Sequence, residues 1–206
     1  MNGSLPAGVI LAGGRSIRMG GVNKALLKLN GISLVQHVIT RLHPQVSSLV
    51  LSVEQTIPEL ESLGLEQVED LRPGSHGPLG GLLAAMERTD QSTGQVLLCP
   101  CDAPLLPPDL GARLAERMAM TKSAVCAVRY EGRVQPTFSL WNCGVLPELR
   151  RAVLDDDEGG FMAFFERVHL ATLDWPAEPV SPFFNVNTPG DLESASHILN
   201  IRASNQ

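Results

Sequence analysis

The run AGVILA at residues 7–12 is apolar without alternation and stops on Gly13-Gly14, which makes it a strand buried on both faces. Helical stretches and further strands then follow in turn. Behind Ser33, a residue suited to cap a helix, residues Leu34, Val35, Val38, Ile39 and Leu42 fall at helical spacing. Residues 48–53 (SLVLSV) read as a second strand, 58–64 as a short helix closed by Gly64, and 65–69 (LEQVE) as a third strand. A helix over 78–88, a strand over 95–99 and a helix opened by Pro107 at N1 and running to about 118 come next. Strands separated by single helices need crossover connections. The first half is therefore expected to form a parallel, doubly wound sheet with helices on both faces.

In the second half, residues 123–130 and 133–140 are separated only by Glu131-Gly132, a tight-turn pair that would make these strands antiparallel. A helix over 146–154, a helix around 161–167, a strand near 169–173 and a helix from Pro189 complete the chain. The expected fold is α/β: an open, mostly parallel, doubly wound Rossmann-like sheet with an antiparallel extension. Phe161, Phe164 and Phe165 share one helix face and belong to the core.

Charge and composition narrow the function. The 206 residues form one domain rather than two with separate cores. Sixteen basic residues against twenty-two acidic leave a net charge of −6, without the basic excess of a protein that wraps nucleic acid. No apolar run is long enough for a membrane span, and the N-terminus lacks a secretion signal, so a cytoplasmic protein is expected. Cys99, Cys101, Cys126 and Cys143 include no CxxC pair and read as ordinary thiols rather than a zinc or redox site.

Residues 11–24, LAGGRSIRMGGVNK, follow the first strand directly. Ligands of open α/β sheets bind at the carboxyl ends of strands. Glycines there let successive N–H groups converge on phosphate, and Arg18 and Lys24 supply positive charge. The spacing matches neither the P-loop nor the G-x-G-x-x-G fingerprint. Asp102 in PCDAPLLPP lies just past another buried strand, where it either caps a turn or anchors a cation shared with a phosphate chain. Asp70 ends a strand in the same way. His76–Met86 (HGPLGGLLAAM) sets glycines at a helix entry, a place that attracts anions. Asn185 and Asn187 read as two amides on one strand face before Thr188, an N-cap, and Pro189. The acidic run 155–158 reads as an exposed turn.

The pattern LAGGxSxRMGGxxKxLL, with PCDxPxLPP, GPLxG, QPTFSLW and FFNVNTPGDL, resembles the nucleotidyltransferases, and specifically the molybdenum cofactor guanylyltransferases. The resemblance implies transfer of GMP from GTP to molybdenum-bound molybdopterin, with Mg2+ as cofactor. It implies a nucleotide side over about residues 1–120, with Leu11, Ala12, Gly13, Gly14, Lys24, Ser52, Asp70, Gly77, Pro78 and Asp102 around the nucleotide. Lys24, Arg18 and Asp102 would be catalytic, and Asp102 would hold the metal. Gln135, Pro136, Asn185 and Asn187 would face the molybdopterin on a side formed by residues 121–206. Transient contact with molybdenum cofactor insertion proteins or acceptor enzymes would follow, and no nucleic acid or membrane partner. The chain departs from the pattern at Asn23, where the family usually has aspartate, and at Ser52, where it commonly has asparagine. The residues alone reach only a metal-assisted phosphate site on an α/β sheet. They leave open a cytidylyl or sugar-phosphate nucleotidyltransferase, and a non-catalytic module that holds GTP or molybdenum cofactor for delivery.

Overall fold

The structure is a computed structural model, and it describes residues 4–13, 23–71, 77–89 and 91–204. Its strands are β1 (Ala7–Leu11), β2 (Lys28–Leu29), β3 (Ile32–Ser33), β4 (Ser48–Val53), β5 (Glu66–Glu69), β6 (Gln95–Pro100), β7 (Val125–Tyr130), β8 (Arg133–Asn142) and β9 (Leu170–Asp174). Its α-helices are α1 (Leu34–Leu42), α2 (Gly77–Arg88), α3 (Leu110–Thr121), α4 (Leu146–Leu154), α5 (Phe161–Phe165) and α6 (Pro189–Ser204). Seven strands form one sheet in the order β5-β4-β1-β6-β8-β7-β9, while β2 and β3 pair separately as a hairpin. β8 pairs antiparallel with both neighbours and the other pairings are parallel, so β8 alone among the seven runs against the rest. The expected parallel sheet with an antiparallel extension is found, and the extension is this one reversed strand.

Strand periodicity sorts the core into two layers. Ile10, Leu49, Leu51, Leu97 and Cys126 pack with α1 and α3 on one face. Val9, Val50, Val96, Leu98 and Ala127 pack with α2, α4 and α5 on the other, where Trp141 lies 5.6 Å from Phe164, 5.8 Å from Phe165 and 6.0 Å from Phe161 between ring centroids. The β7–β8 turn has positive φ at both Glu131 and Gly132, as a two-residue hairpin of this hand requires.

Three local expectations are corrected. Pro107 does not open α3, which starts at Leu110: the buried side chain of Gln45 donates to the Pro107 carbonyl and accepts from the Gly111 N–H, each across more than 60 residues of sequence. The expected short helix is found as a 3-10 helix over Pro58–Leu63, closed by Gly64 at φ 67°. Ser33 makes no side-chain cap, and the Leu34 N–H donates to the Leu27 carbonyl. Asn185 and Asn187 do not share a strand face, since residues 183–188 have no regular structure.

β8 carries a proline in its interior, and the pairing accommodates it. Ala127 pairs with Ser139 but Val128 pairs with Gln135, so residues 136–138 bulge out of the ladder and Pro136 has no N–H to waste there. The fully buried Ser139 hydroxyl donates to the Pro136 carbonyl at 2.6 Å and accepts from Trp141 Nε1 at 2.8 Å. Pairing with β6 ends at Leu98 and Ser139, so β8 leaves β6 just before the residues that lead to Asp102.

Candidate active site

Because β5, β4, β1 and β6 are parallel, their carboxyl ends Glu69, Val53, Leu11 and Pro100 form one edge of the sheet. Backbone hydrogen bonds tie the loops that leave it. The Ala12 N–H donates to the Ser52 carbonyl at 2.7 Å, the Cys101 N–H to Leu11 at 3.0 Å and the Asp70 N–H to Val53 at 3.0 Å.

On this edge a cleft of about 310 Å³ opens, the lower end of the usual size for a small-molecule site. Leu11, Gly13, Ser52, Asp70, Gly77 and Pro78 line it, together with Val53, Glu54 and Gly81. Two of these lining residues pack tightly between α2 and β4: a Cβ on Gly81 would lie 2.4 Å from Ser52 Oγ. Gly77, at φ +52°, enters α2 with its missing side chain aimed at the Gly159 carbonyl, 2.9 Å from where a Cβ would stand. Glycine is therefore required there twice, by conformation and by space.

Beside the cleft, Lys24 Nζ donates to Asp102 Oδ2 at 3.0 Å and also to Asn187 Oδ1. The two charged side chains are 19% and 11% exposed, so solvent screens the pair less than a surface ion pair. Asn187 comes from the segment before α6, and its neighbour Val186 donates its N–H to the Asp102 carbonyl at 2.9 Å. Three distant stretches thus meet around one ammonium. Cys101, next to Asp102, is held as a neutral thiol, because burial and then the Asp102 charge push its pKa up.

Of the other sequence-predicted residues, Ala12 is fully buried and reaches the site through its backbone only. Gln135 and Pro136 sit at the β8 bulge. Asn185 Oδ1 is buried without a hydrogen-bond partner among the described residues. Gly14, Arg18 and His76 lie outside the described residues.

The family model of the MobA-like NTP transferase domain matches residues 8–172. A molybdenum cofactor guanylyltransferase of Rhizobium meliloti (strain 1021) is 39% identical over 93% of this chain and 91% of its own length. The chain belongs to the molybdenum cofactor guanylyltransferase family. A second member, from Rhodopseudomonas palustris (strain BisB5), is 37% identical over 92% of both chains. The fold matches the molybdopterin-guanine dinucleotide biosynthesis protein A of Archaeoglobus fulgidus with a TM-score of 0.78 at 23% identity, covering 94% of this chain and 98% of that one. A 4-diphosphocytidyl-2C-methyl-D-erythritol synthase of Anaerococcus prevotii matches with a TM-score of 0.74 at 10% identity over 97% of each chain.

Within this guanylyltransferase family frame, both departures have a structural account. Asn23 caps the 3-10 turn Lys24–Leu26: its Oδ1 accepts the Ala25 N–H at 2.8 Å and its Nδ2 donates to the Ala12 carbonyl at 3.3 Å. An ionised aspartate could make the first bond but has no donor for the second. Ser52 is short enough to sit under α2 opposite Gly81. Sequence reasoning left out Glu54 and Val53 as cleft residues, and it placed Lys24 and Asp102 in separate roles without foreseeing that they touch.

Proposed function

We propose that this chain transfers GMP from GTP to molybdenum-bound molybdopterin, giving molybdopterin guanine dinucleotide and pyrophosphate. One observation carries the reading: an ammonium, a carboxylate and an amide meet at Lys24, Asp102 and Asn187, beside a nucleoside-sized cleft on the carboxyl edge of the sheet. The names of the curated relatives support the choice of guanine and of the molybdenum cofactor.

In this reading Leu11, Gly13, Ser52, Asp70, Gly77 and Pro78 receive the nucleoside, with Ala12 and Gly14 presenting backbone groups. Lys24 and Arg18 bind the phosphates. Gln135, Pro136, Asn185 and Asn187 face the molybdopterin. The single domain thus divides into a nucleotide side and a pterin side, and the product passes to insertion proteins or acceptor enzymes through transient contacts.

A hard divalent cation such as Mg2+ takes oxygen ligands, usually one or two carboxylates with phosphate oxygens and water. The Asp102 carboxylate fits that requirement. Among the described residues no three His, Cys, Asp or Glu side chains gather to hold a metal alone, so phosphate oxygens would complete the set. When bound, the cation would supply charge neutralisation at the α-phosphate.

An oxygen of the pterin's terminal phosphate attacks the α-phosphorus of GTP, forming a new P–O bond. The bond from the α-phosphorus to the bridging oxygen breaks, and pyrophosphate leaves with that electron pair. A phosphate monoester with a second pKa of about 6 is largely dianionic at neutral pH, so the attack needs no protein base. The chain's contribution is alignment and charge, with Lys24 and Arg18 neutralising the departing pyrophosphate.

The test is pyrophosphate release with GTP and with CTP, each with and without loaded pterin. Release with GTP that depends on the pterin supports the reading. Release with CTP would favour the cytidylyl alternative, and GTP binding without release would favour a delivery module.

A further inference from the structure

The Asn187 amide reaches Lys24 from an irregular segment, so something must hold that segment in place. Two anchors bracket it. On one side Val186 is tied to the Asp102 backbone. On the other, Asp191 Oδ2 accepts both the Asn187 N–H at 2.9 Å and the Thr188 N–H at 2.8 Å, while the Asp191 N–H donates to Thr188 Oγ1 at 3.2 Å. A capping box at the start of α6 needs only the exchange with Thr188. The bond to the Asn187 N–H lies one residue outside that exchange. It adds nothing to the helix cap, but it fixes the backbone from which the amide extends. Burial opposes the Asp191 charge, yet the Asn187 N–H, Thr188 and the nearby Lys24 charge outweigh it and hold the carboxyl below its ordinary range.

We propose that Asp191 is a positioning residue of the active site, holding the Asn187 amide so that it, with Asp102, fixes the Lys24 ammonium. The functional weight of this role rests on the phosphate-binding reading of Lys24. An ammonium has three N–H donors. Asp102 and Asn187 take two, which leaves the third for a phosphate oxygen and sets where it is presented. Asp191 touches no substrate and acts only through Asn187.

The experiment reads Lys24 directly. Ligand-free protein is treated with sulfo-N-hydroxysuccinimide acetate below its melting temperature, and acetylation of Lys24 is followed by peptide mass spectrometry. Asp191→Ala and Asn187→Ala should each raise the Lys24 labelling rate about three- to tenfold, as the loss of one ordinary hydrogen bond predicts. The double variant should label no faster than the faster single variant, because both act through one contact. Thr188→Ala removes the other half of the capping box and keeps the Asn187 N–H bond, so its Lys24 should label as in the unaltered protein. Unchanged labelling in Asp191→Ala, an equal increase in Thr188→Ala, or increases that multiply in the double variant would each overturn the proposal. Pyrophosphate release from GTP is measured on the same proteins. If the unaltered protein releases none while the labelling pattern holds, the functional reading fails and the positioning role stands.

Discussion

Replacing Gly81 by alanine puts one methyl group between α2 and β4. Its Cβ would stand 2.4 Å from Ser52 Oγ, a full ångström short of ordinary contact at 3.4 Å. Retreat of the helix is blocked, because Leu79, Leu82, Leu83, Ala85 and Met86 are all fully buried. Two effects oppose each other. Glycine to alanine inside a helix stabilises by about 1 kcal/mol, while overpacking a tight core costs about 1–3 kcal/mol. The net expectation for Gly81→Ala is a loss between about zero and 2 kcal/mol, or up to about 8 °C in Tm for a chain this size. In a Ser52→Ala background the obstructing hydroxyl is gone and only the helix effect remains, so adding Gly81→Ala should stabilise by about 1 kcal/mol. Thermal melts of the four proteins measure the difference. Because Gly81 also lines the cleft, GTP affinity in Gly81→Ala should fall about tenfold, the lower range for one misplaced methyl group. If Gly81→Ala changes Tm equally with and without the Ser52→Ala substitution, the helix–strand contact does not control this site and the reasoning fails.

Ser139→Ala should cost about 1–3 kcal/mol in urea unfolding, because Trp141 Nε1 is left buried without its acceptor; an unchanged midpoint would contradict the role assigned to the bulge. Burial pushes the Cys126 thiol up to about 11 and raises Cys99 and Cys101 as well, so at pH 8 these three remain protonated in the folded protein. Cys143 is only half-buried and should react first with Ellman's reagent, the other thiols appearing after denaturation. Rapid native labelling of Cys126 at pH 8 would show that its surroundings are wetter than described.

Local chemistry was legible in the sequence wherever local chemistry decides. β4 and α4 have the bounds read from hydrophobic periodicity, Glu131-Gly132 makes the expected turn, and Thr188 accepts from Asp191 as an N-cap should. Asn30-Gly31 carries an equally plain hairpin signal and makes the turn of the β2–β3 hairpin. What misled was long-range. Pro107 has every local mark of a helix start, but Gln45 captures its carbonyl and the Gly111 N–H and moves the start to Leu110. The alternation of Asn185 and Asn187 suggests a strand, yet among the described residues no strand pairs with them; Val186 between them is tied to Asp102 and the Asn187 N–H to Asp191. The site shows the same division. Its cleft residues could be named from glycines and strand ends, whereas the meeting of Lys24 with Asp102 across 78 residues, and with Asn187 across 163, depends on the tertiary fold.

The account stands on Lys24 and Asp102 acting together on a nucleotide's phosphates. The most direct measurement is the rate of pyrophosphate release from GTP, with Mg2+ and loaded molybdopterin, by the unaltered protein and by folded Lys24→Ala and Asp102→Ala variants. Removing one preorganised electrostatic group of this kind lowers a rate by about a hundred- to a thousandfold, and each variant is predicted to lose at least that much. Variants that keep their structure and turn over at the unaltered rate would contradict it.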